Sequence, residues 1–468
     1  MLKGRGLGLP ALPHTIRQLL FAPLPDAHVP VKIHGWVKSV RRQKNVAFAV
    51  VSDGSHDKGI QAVFPNASQA RSLTNGTSVR LEGRLLASPG KGQDKELRVD
   101  SVEVLGRSDP EKYPIQKKEL TVEYLREHCH LRPRTDAVAS MLWLRHIVSN
   151  SIRGFFENNG FCYVHTPIIT ANDCEGAGET FRIAPDSTLA PVHSGDAAPK
   201  PSEFFGHPAY LTVSSQLHLE ALAASISRVY TLSPCFRAER SQTNRHLAEF
   251  WMLEAEWAFT QTVHDVCNVV EAAIKQVLDD AADKSEGSNP WSERAAKLQA
   301  EIATRDWPRI TYANAVEELA SFQQATRAFH FEPAWGLPLQ SEHERWLAEN
   351  LAKGPVFVTD YPAELKPFYM RLNDDGKTVA CFDLLMPGLG ELVGGSLREE
   401  REDHLSNAMR KHGLQTDQYD WYLDLRRYGS APHGGFGLGF ERLISWVGGI
   451  ENIRECIAMP RWAGRMLL

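Results

Sequence analysis

Residues 236–256 read FRAERSQTNRHLAEFWMLEAE, and the alternation within them decides the fold. In FRAE, Arg237 and Glu239 share one parity. In EFWMLEAEW, Phe250, Met252, Glu254 and Glu256 take one parity, and Trp251, Leu253, Ala255 and Trp257 the other. Successive strand side chains point to opposite faces. Two strands joined by a polar loop are therefore expected, with one apolar face and one bearing arginine, carboxylates and an aromatic ring. Such a face is either a solvated sheet surface or the wall of a site, and this stretch alone leaves both open.

A chain of 468 residues is long enough for two or three domains. Its net charge of -5, from 52 basic and 57 acidic residues, carries no global nucleic-acid signature, so any basic patch must be local. The seven cysteines, Cys129, Cys162, Cys174, Cys235, Cys267, Cys381 and Cys456, are scattered without a CxxC pair. They read as reduced thiols, not as a zinc site. No apolar run approaches the roughly 18 residues of a membrane span, so no membrane partner is expected. The opening MLKGRGLGLPALPHTIRQLLFAPLP carries Lys3, Arg5 and Arg17 and no acid before Asp26. That pattern fits a transit segment to the mitochondrial matrix; the alternative is a short N-terminal extension, residues 1–28, on a cytoplasmic protein.

Between residues 29 and 105, VKIHGWVKSV, VAFAVVSDGS, GIQAVF, SVRLEGRLLAS and ELRVDSVEVLG are short β-rich runs separated by turn residues. Five such strands predict a small closed barrel. The basic KSVRRQK favours an OB-type nucleic-acid module in which exposed aromatics stack bases. Phe48 is either such a platform or a buried strand residue. Residues 106–135 are charged and proline-broken, which predicts a hinge. From 136 to 468 a second, α+β domain is expected. It opens with the helical pattern AVASMLWLRHIVSNSIRGFFENNGF and the run FCYVHTPIIT. Pro167 inside that run predicts an edge or interface strand. Residues 184–202 read as a loose loop and 262–306 as a helical insertion.

Neither a P-loop nor HExxH is present, and the glycine clusters GLGELVGG and HGGFGLGF lack dinucleotide spacing. Asp383 and Glu391, in CFDLLMPGLGEL, bracket a Pro-Gly turn. Two hard-oxygen ligands so placed suit Mg²⁺, though an isolated pair is also ordinary surface. Arg398 follows in GGSLREER, and Arg442 sits in GLGFERLI, where a glycine-lined strand enters a helix.

FRAERSQTNRHLAEFWMLEAE resembles motif 2 of the class II aminoacyl-tRNA synthetases, GFGLGFERLI resembles motif 3, and the helix ending in GFCYVHTPIIT resembles motif 1 with its proline. ANDCEGAGETF and LTVSSQLHLE narrow the likeness to the asparaginyl-tRNA synthetases, bacterial and organellar branch. It runs from about residue 30 to the C-terminus. The resemblance implies an antiparallel sheet flanked by helices, a homodimer built partly through Pro167 and motif 1, and an OB domain for the anticodon. The implied reaction joins asparagine and ATP into asparaginyl-AMP, then transfers the amino acid to tRNA(Asn).

By resemblance, Arg237 meets the α-phosphate, Glu239 the adenine amino group, and Phe250 stacks the base. Arg442 covers its other side and reaches the γ-phosphate, Arg245 and His246 approach the phosphates, and Leu247 and Gly439 belong to the same ATP site. Asp383 and Glu391 carry Mg²⁺. Arg398 and Glu254 read the asparagine amide, while Glu175, Ser214 and Gln216 surround the α-ammonium. Phe48, Gln61 and Glu96 face the anticodon. Charge developing at the α-phosphate needs preorganised cations and no protein nucleophile. An aspartate carboxylate about 4 Å from Glu254 costs on the order of 4 kcal/mol at an effective dielectric near 20, roughly a thousandfold discrimination. Aspartyl relatives place a lysine just after their equivalent of SSQ, and SSQLHLEALAA has none. The competing readings are an aspartyl-type enzyme and a non-catalytic tRNA-binding paralogue. Glu256 receives no role.

Overall fold

The computed structural model describes residues 12–26, 28–90, 92–171, 180–184, 203–241, 243–283, 289–414 and 419–468. The chain divides into two compact units, with the main break between Trp143 and Leu144.

In the first unit, β1 (Val31–Arg42), β2 (Ala47–Ser52), β3 (Ile60–Phe64), β4 (Ser78–Ala87) and β5 (Lys95–Gly106) close into a barrel in the order β1-β2-β3-β5-β4. Alternation sets its two faces: Ala47, Ala49 and Val51 are buried while Phe48, Val50 and Ser52 turn outward half-buried. Ile33, Phe64, Leu81 and Leu97 fill the interior. The expected N-terminal extension is partly a component of this barrel. A helix at Ile16–Phe21 starts at a capping box of Thr15 and Gln18, Ile16 is fully buried in the barrel core, and its N–H donates to Asp53 Oδ2 at 2.8 Å. A buried isoleucine behind a good cap anchors the segment more firmly than its sparse composition suggested.

In the second unit, a short β6 (Cys162–Tyr163) precedes β7 (Ile169–Thr170), β8 (Arg182–Ile183) and β9 (Ala209–Leu211), which form a small antiparallel sheet. The main sheet adds β10 (Arg228–Phe236), β11 (Glu249–Ala258), β12 (Arg309–Thr311), β13 (Val356–Pro362), β14 (Thr378–Met386), β15 (Gly390–Leu397) and β16 (His433–Gly439). Its order is β12-β13-β14-β15-β16-β11-β10-β6. The six inner strands are antiparallel, but β6 runs parallel to β10 and β12 parallel to β13. The sheet is therefore mixed at its edges, where the purely antiparallel expectation fails. Pro167 lies in the coil between β6 and β7, where its missing N–H interrupts no ladder.

The helix Val263–Ala282 packs against β14, β15 and β16. Its Val266, Val270, Ile274 and Val277 are buried, so the start of the expected insertion belongs to the core. The hairpin β10–β11 pairs Phe236 with Glu249 and Cys235 with Phe250. Both faces of β11 are covered from Leu253 to Trp257, with Glu254 3% and Glu256 1% exposed. Two buried carboxylates on one strand require partners, and that excludes the solvated-sheet reading. No helix among the described residues is long and apolar enough to cross a membrane.

Candidate active site

A cavity of about 190 Å³ opens over β11, β15 and β16. It is lined by Arg237, Glu239, Arg245, His246, Leu247, Phe250, Met252, Glu391, Gly439, Glu441 and Arg442, among others. All eight residues expected at the nucleotide thus converge, and Glu391 joins them. Strand pairing explains the Arg237–Phe250 neighbourhood, because β10 ends where β11 begins. The Arg237 guanidinium lies 5.5 Å from the Phe250 ring centroid, a cation beside an aromatic face. The intervening loop fixes His246 at both ring nitrogens: Nε2 is 3.4 Å from Glu239 Oε2, and Nδ1 is 2.6 Å from Thr243 Oγ1. Arg442 rises from the first turn of the helix Phe440–Gly448, and its Nη1 donates to the Glu391 carbonyl at 3.0 Å. Burial, then the charges of Arg345 and Arg442, hold the Arg245 pKa below its ordinary value. Crowded guanidinium groups of this kind suit a polyanion.

Glu441 lines the same cavity unannounced by the sequence. One oxygen accepts from Arg145 at 2.7 Å, the other from the Trp251 N–H at 2.9 Å. Burial keeps its pKa above the usual carboxylate range although Arg145 opposes this. It ties the helix Asp136–Asn158 to β11 from below.

Across the sheet, the register aligns Asp383 on β14, Gly394 on β15, Gly437 on β16 and Glu254 on β11 in one row. Two glycines between two carboxylates leave a floor without side chains. A Cβ at Gly394 would sit 3.3 Å from Glu391 Oε1 and 3.7 Å from Asp383 Oδ1, so both expected magnesium ligands border that floor. Burial and then Asp383 raise the Glu391 pKa. Glu344, whose Oε2 accepts from the Glu391 N–H at 3.3 Å, is pushed up to about 7 by burial and the Glu391 charge. Crowded, half-buried carboxylates fit a divalent cation. Among the described residues no cluster of three or more His, Cys, Asp or Glu has metal-binding geometry; two carboxylates completed by phosphate and water are usual for Mg²⁺. Asp383 is already engaged, however: Lys366 Nζ donates to its two oxygens at 2.8 and 2.7 Å. Burial disfavours the ammonium, yet Asp383 holds the Lys366 pKa above its ordinary value. Nothing in the local text KPFYM marked this lysine.

Ser214, Gln216, Glu254 and Arg398 also come together around a set of buried carboxylates. Glu254 accepts from Ser214 Oγ at 2.5 Å and from the Ser215 N–H at 2.9 and 3.0 Å. The carboxylate partner of Arg398 is Glu256: Nε and Nη2 donate to it at 3.2 and 3.0 Å, and Nη1 donates to Ser396 Oγ at 2.6 Å. Glu256, to which the sequence assigned nothing, thus holds the Arg398 guanidinium. Burial nonetheless keeps the Glu256 pKa above the usual range. Behind them lies Glu220, which accepts from Gln216 Nε2 at 3.2 Å, Tyr422 Oη at 2.7 Å and Arg426 Nη2 at 2.8 Å. His433 Nε2 is 3.1 Å away. Burial would raise the Glu220 pKa, but Arg426 and the His433 hydrogen bond hold it far below the usual range. Glu175 lies outside the described residues.

On the barrel, Phe48 is half-buried on the outer face and pairs with Arg41 and Val63. Gln61 stands opposite Glu96 and donates to Glu96 Oε2 at 3.3 Å, while Ser88 Oγ donates to the same oxygen at 3.1 Å. Glu96 is therefore a held side chain.

Residues 121–463 match the family profile of class II tRNA synthetases (D, K and N), and residues 31–105 that of the OB-fold nucleic acid binding domain. An asparagine–tRNA ligase of Desulfotalea psychrophila is 46% identical over 460 residues, covering 96% of this chain and 98% of that one. The mouse asparaginyl-tRNA synthetase is 45% identical over 446 residues, 94% of this chain and 91% of its own. Among solved structures, asparaginyl-tRNA synthetase from Pyrococcus horikoshii complexed with asparaginyl-adenylate superposes with a TM-score of 0.83 at 28% identity, over 98% of this chain and 100% of that one. The Entamoeba histolytica asparaginyl-tRNA synthetase, also with asparaginyl-adenylate, gives 0.80 at 29% identity over 95% and 97%. The arginine-rimmed cavity, the glycine floor and these likenesses agree: the chain belongs to the asparaginyl-tRNA synthetases of class II.

Proposed function

We propose that this asparagine–tRNA ligase activates L-asparagine on the floor between Glu254 and Asp383, with ATP in the cavity beside it. The asparagine carboxylate oxygen attacks the α-phosphorus, an O–P bond forms, and the bond to the β-phosphate oxygen breaks to release pyrophosphate. Arg237 faces the growing negative charge, Phe250 stacks the adenine, Glu239 accepts its amino N–H, and Arg245, His246 and Arg442 hold the phosphates. Fixed cations in a partly dry pocket stabilise that charge without reorganising. Mg²⁺, when bound, supplies charge neutralisation, and Asp383 and Glu391 are the residues that would hold it. In the second step a ribose hydroxyl at the 3′ end of tRNA(Asn) attacks the acyl carbonyl and AMP leaves.

The observation that carries this reading is the single register row joining Asp383, two glycines and Glu254. Exchange of labelled pyrophosphate into ATP tests it: asparagine is expected to drive exchange and aspartate is not. Preference for aspartate would overturn it.

We further assign residues 29–105 to the anticodon, with Phe48 stacking a base and Gln61 and Glu96 reading edges. Assembly as a homodimer through the segment around Pro167 is supported by the exposed Tyr163, Ile168 and Ile169 and checked by sedimentation. A mitochondrial destination is supported by the acid-free first 25 residues. Because Ile16 is packed in the barrel, processing is expected upstream of Thr15, which mass spectrometry of the mature N-terminus reads directly.

A further inference from the structure

We infer that Glu220, through its pairing with Arg426 and its approach to Arg398, is a specificity-determining residue that keeps the amino-acid pocket electrically balanced and thereby excludes aspartate; this rests on the activity proposed above. Two buried guanidinium groups and two buried carboxylates meet here. Glu220 is 2%, Glu256 1%, Arg398 3% and Arg426 6% exposed. Each cation has its own anion: Arg398 with Glu256 at 3.0 Å and Arg426 with Glu220 at 2.8 Å. The pairs are linked, since Arg398 Nε lies 4.0 Å from Glu220. Gln216, from the expected amino-acid site, donates to Glu220 and joins the cluster to it.

The balance has a chemical consequence. An arginine open to substrate would favour a carboxylate over an amide, so Arg398 alone selects the wrong amino acid. With its charge matched by Glu256 and a second carboxylate close by, Arg398 still offers N–H donors to a neutral amide oxygen. Arg426 Nη1, buried, has no acceptor among the described residues, so one further donor is present in the cluster. Aspartate would bring an uncompensated negative charge into a low-dielectric pocket whose two cations are already matched by Glu256 and Glu220. Discrimination is thus shared by Glu220 and Glu256 beyond the single repulsion from Glu254.

The test is kcat/KM for asparagine and aspartate by pyrophosphate exchange in the full chain. Glu220→Gln and Glu256→Gln each remove one negative charge while preserving shape, and are expected to raise the aspartate-to-asparagine ratio by about tenfold or more. Arg426→Gln, which removes a cation, should lower that ratio. Tyr422→Phe deletes a hydroxyl but no charge and should leave it within about threefold. A purely structural role lowers both rates together, so working variants with unchanged ratios would overturn the inference. If the Gln variants fail to fold, the direction of the Arg426→Gln change decides. A wild-type chain that activates neither amino acid would overturn the activity and this inference with it; an unchanged ratio in a working enzyme overturns only the inference.

Discussion

Arg237, half-buried, and Glu441, buried, show how one charge can serve chemistry and another support it. Arg237→Ala is expected to lower adenylate formation by about 10²–10³-fold, the scale of losing one fixed donor to a developing oxyanion, while filter binding of tRNA persists; unchanged exchange would remove Arg237 from the α-phosphate. Glu441→Ala leaves the half-buried Arg145 only the Cys456 carbonyl among the described residues, and loss of one partner of such a pair costs up to about 3–5 kcal/mol. Urea unfolding would register it as a lower midpoint. Glu220 gives the pH sign. Its folded-state pKa is depressed, so the stability it contributes is present above the unfolded carboxylate value and lost as pH falls through and below about 4.5. Glu220→Gln should flatten the acid limb of a stability–pH curve while lowering stability at neutral pH, where Arg426 loses its partner. At this scale the sequence showed which residue types gather but not which pair. Glu254 and Glu256 share a parity, and only the Ser214–Ser215 turn, which occupies Glu254, assigns Arg398 to Glu256.

For single elements, local period carried most of the legible information. The β10–β11 hairpin and the five barrel strands were readable because alternation is written into the residues themselves. The parallel edge strands β6 and β12 were not, because two or three residues carry no period and their pairing is set by distant chain. Glycine positions separate fold from function. A methyl at Gly435 would lie 2.1 Å from the Ala255 carbonyl and 2.2 Å from Glu256 Oε2, so Gly435→Ala is expected to destabilise by about 1–3 kcal/mol or more. At Gly394 the nearest atom is 3.3 Å away. Gly394→Ala should therefore keep its melting temperature nearly unchanged yet lose exchange activity by about tenfold or more by filling the floor. Equal effects of the two substitutions would contradict the assignment of that row.

For the whole molecule, each unit has its own buried core, and their functions are expected to separate in measurement. Phe48→Ala should raise KM for tRNA while leaving pyrophosphate exchange unaltered; a fall in exchange would contradict an anticodon role. The order of the three motifs along the chain made the fold legible, since each brings a different inner strand or helix to one sheet. Lys366 was illegible because its partner Asp383 lies on β14, beyond an intervening turn.

The glycine floor has a consequence for pharmacology. An adenylate mimic that presses on Gly394 and Gly437 rests on backbone, which substitution cannot reshape without adding atoms where the substrate must lie. At Gly437 even one methyl would lie 2.9 Å from Met252 Cε. Resistance would have to arise in the walls, among side chains that can retreat.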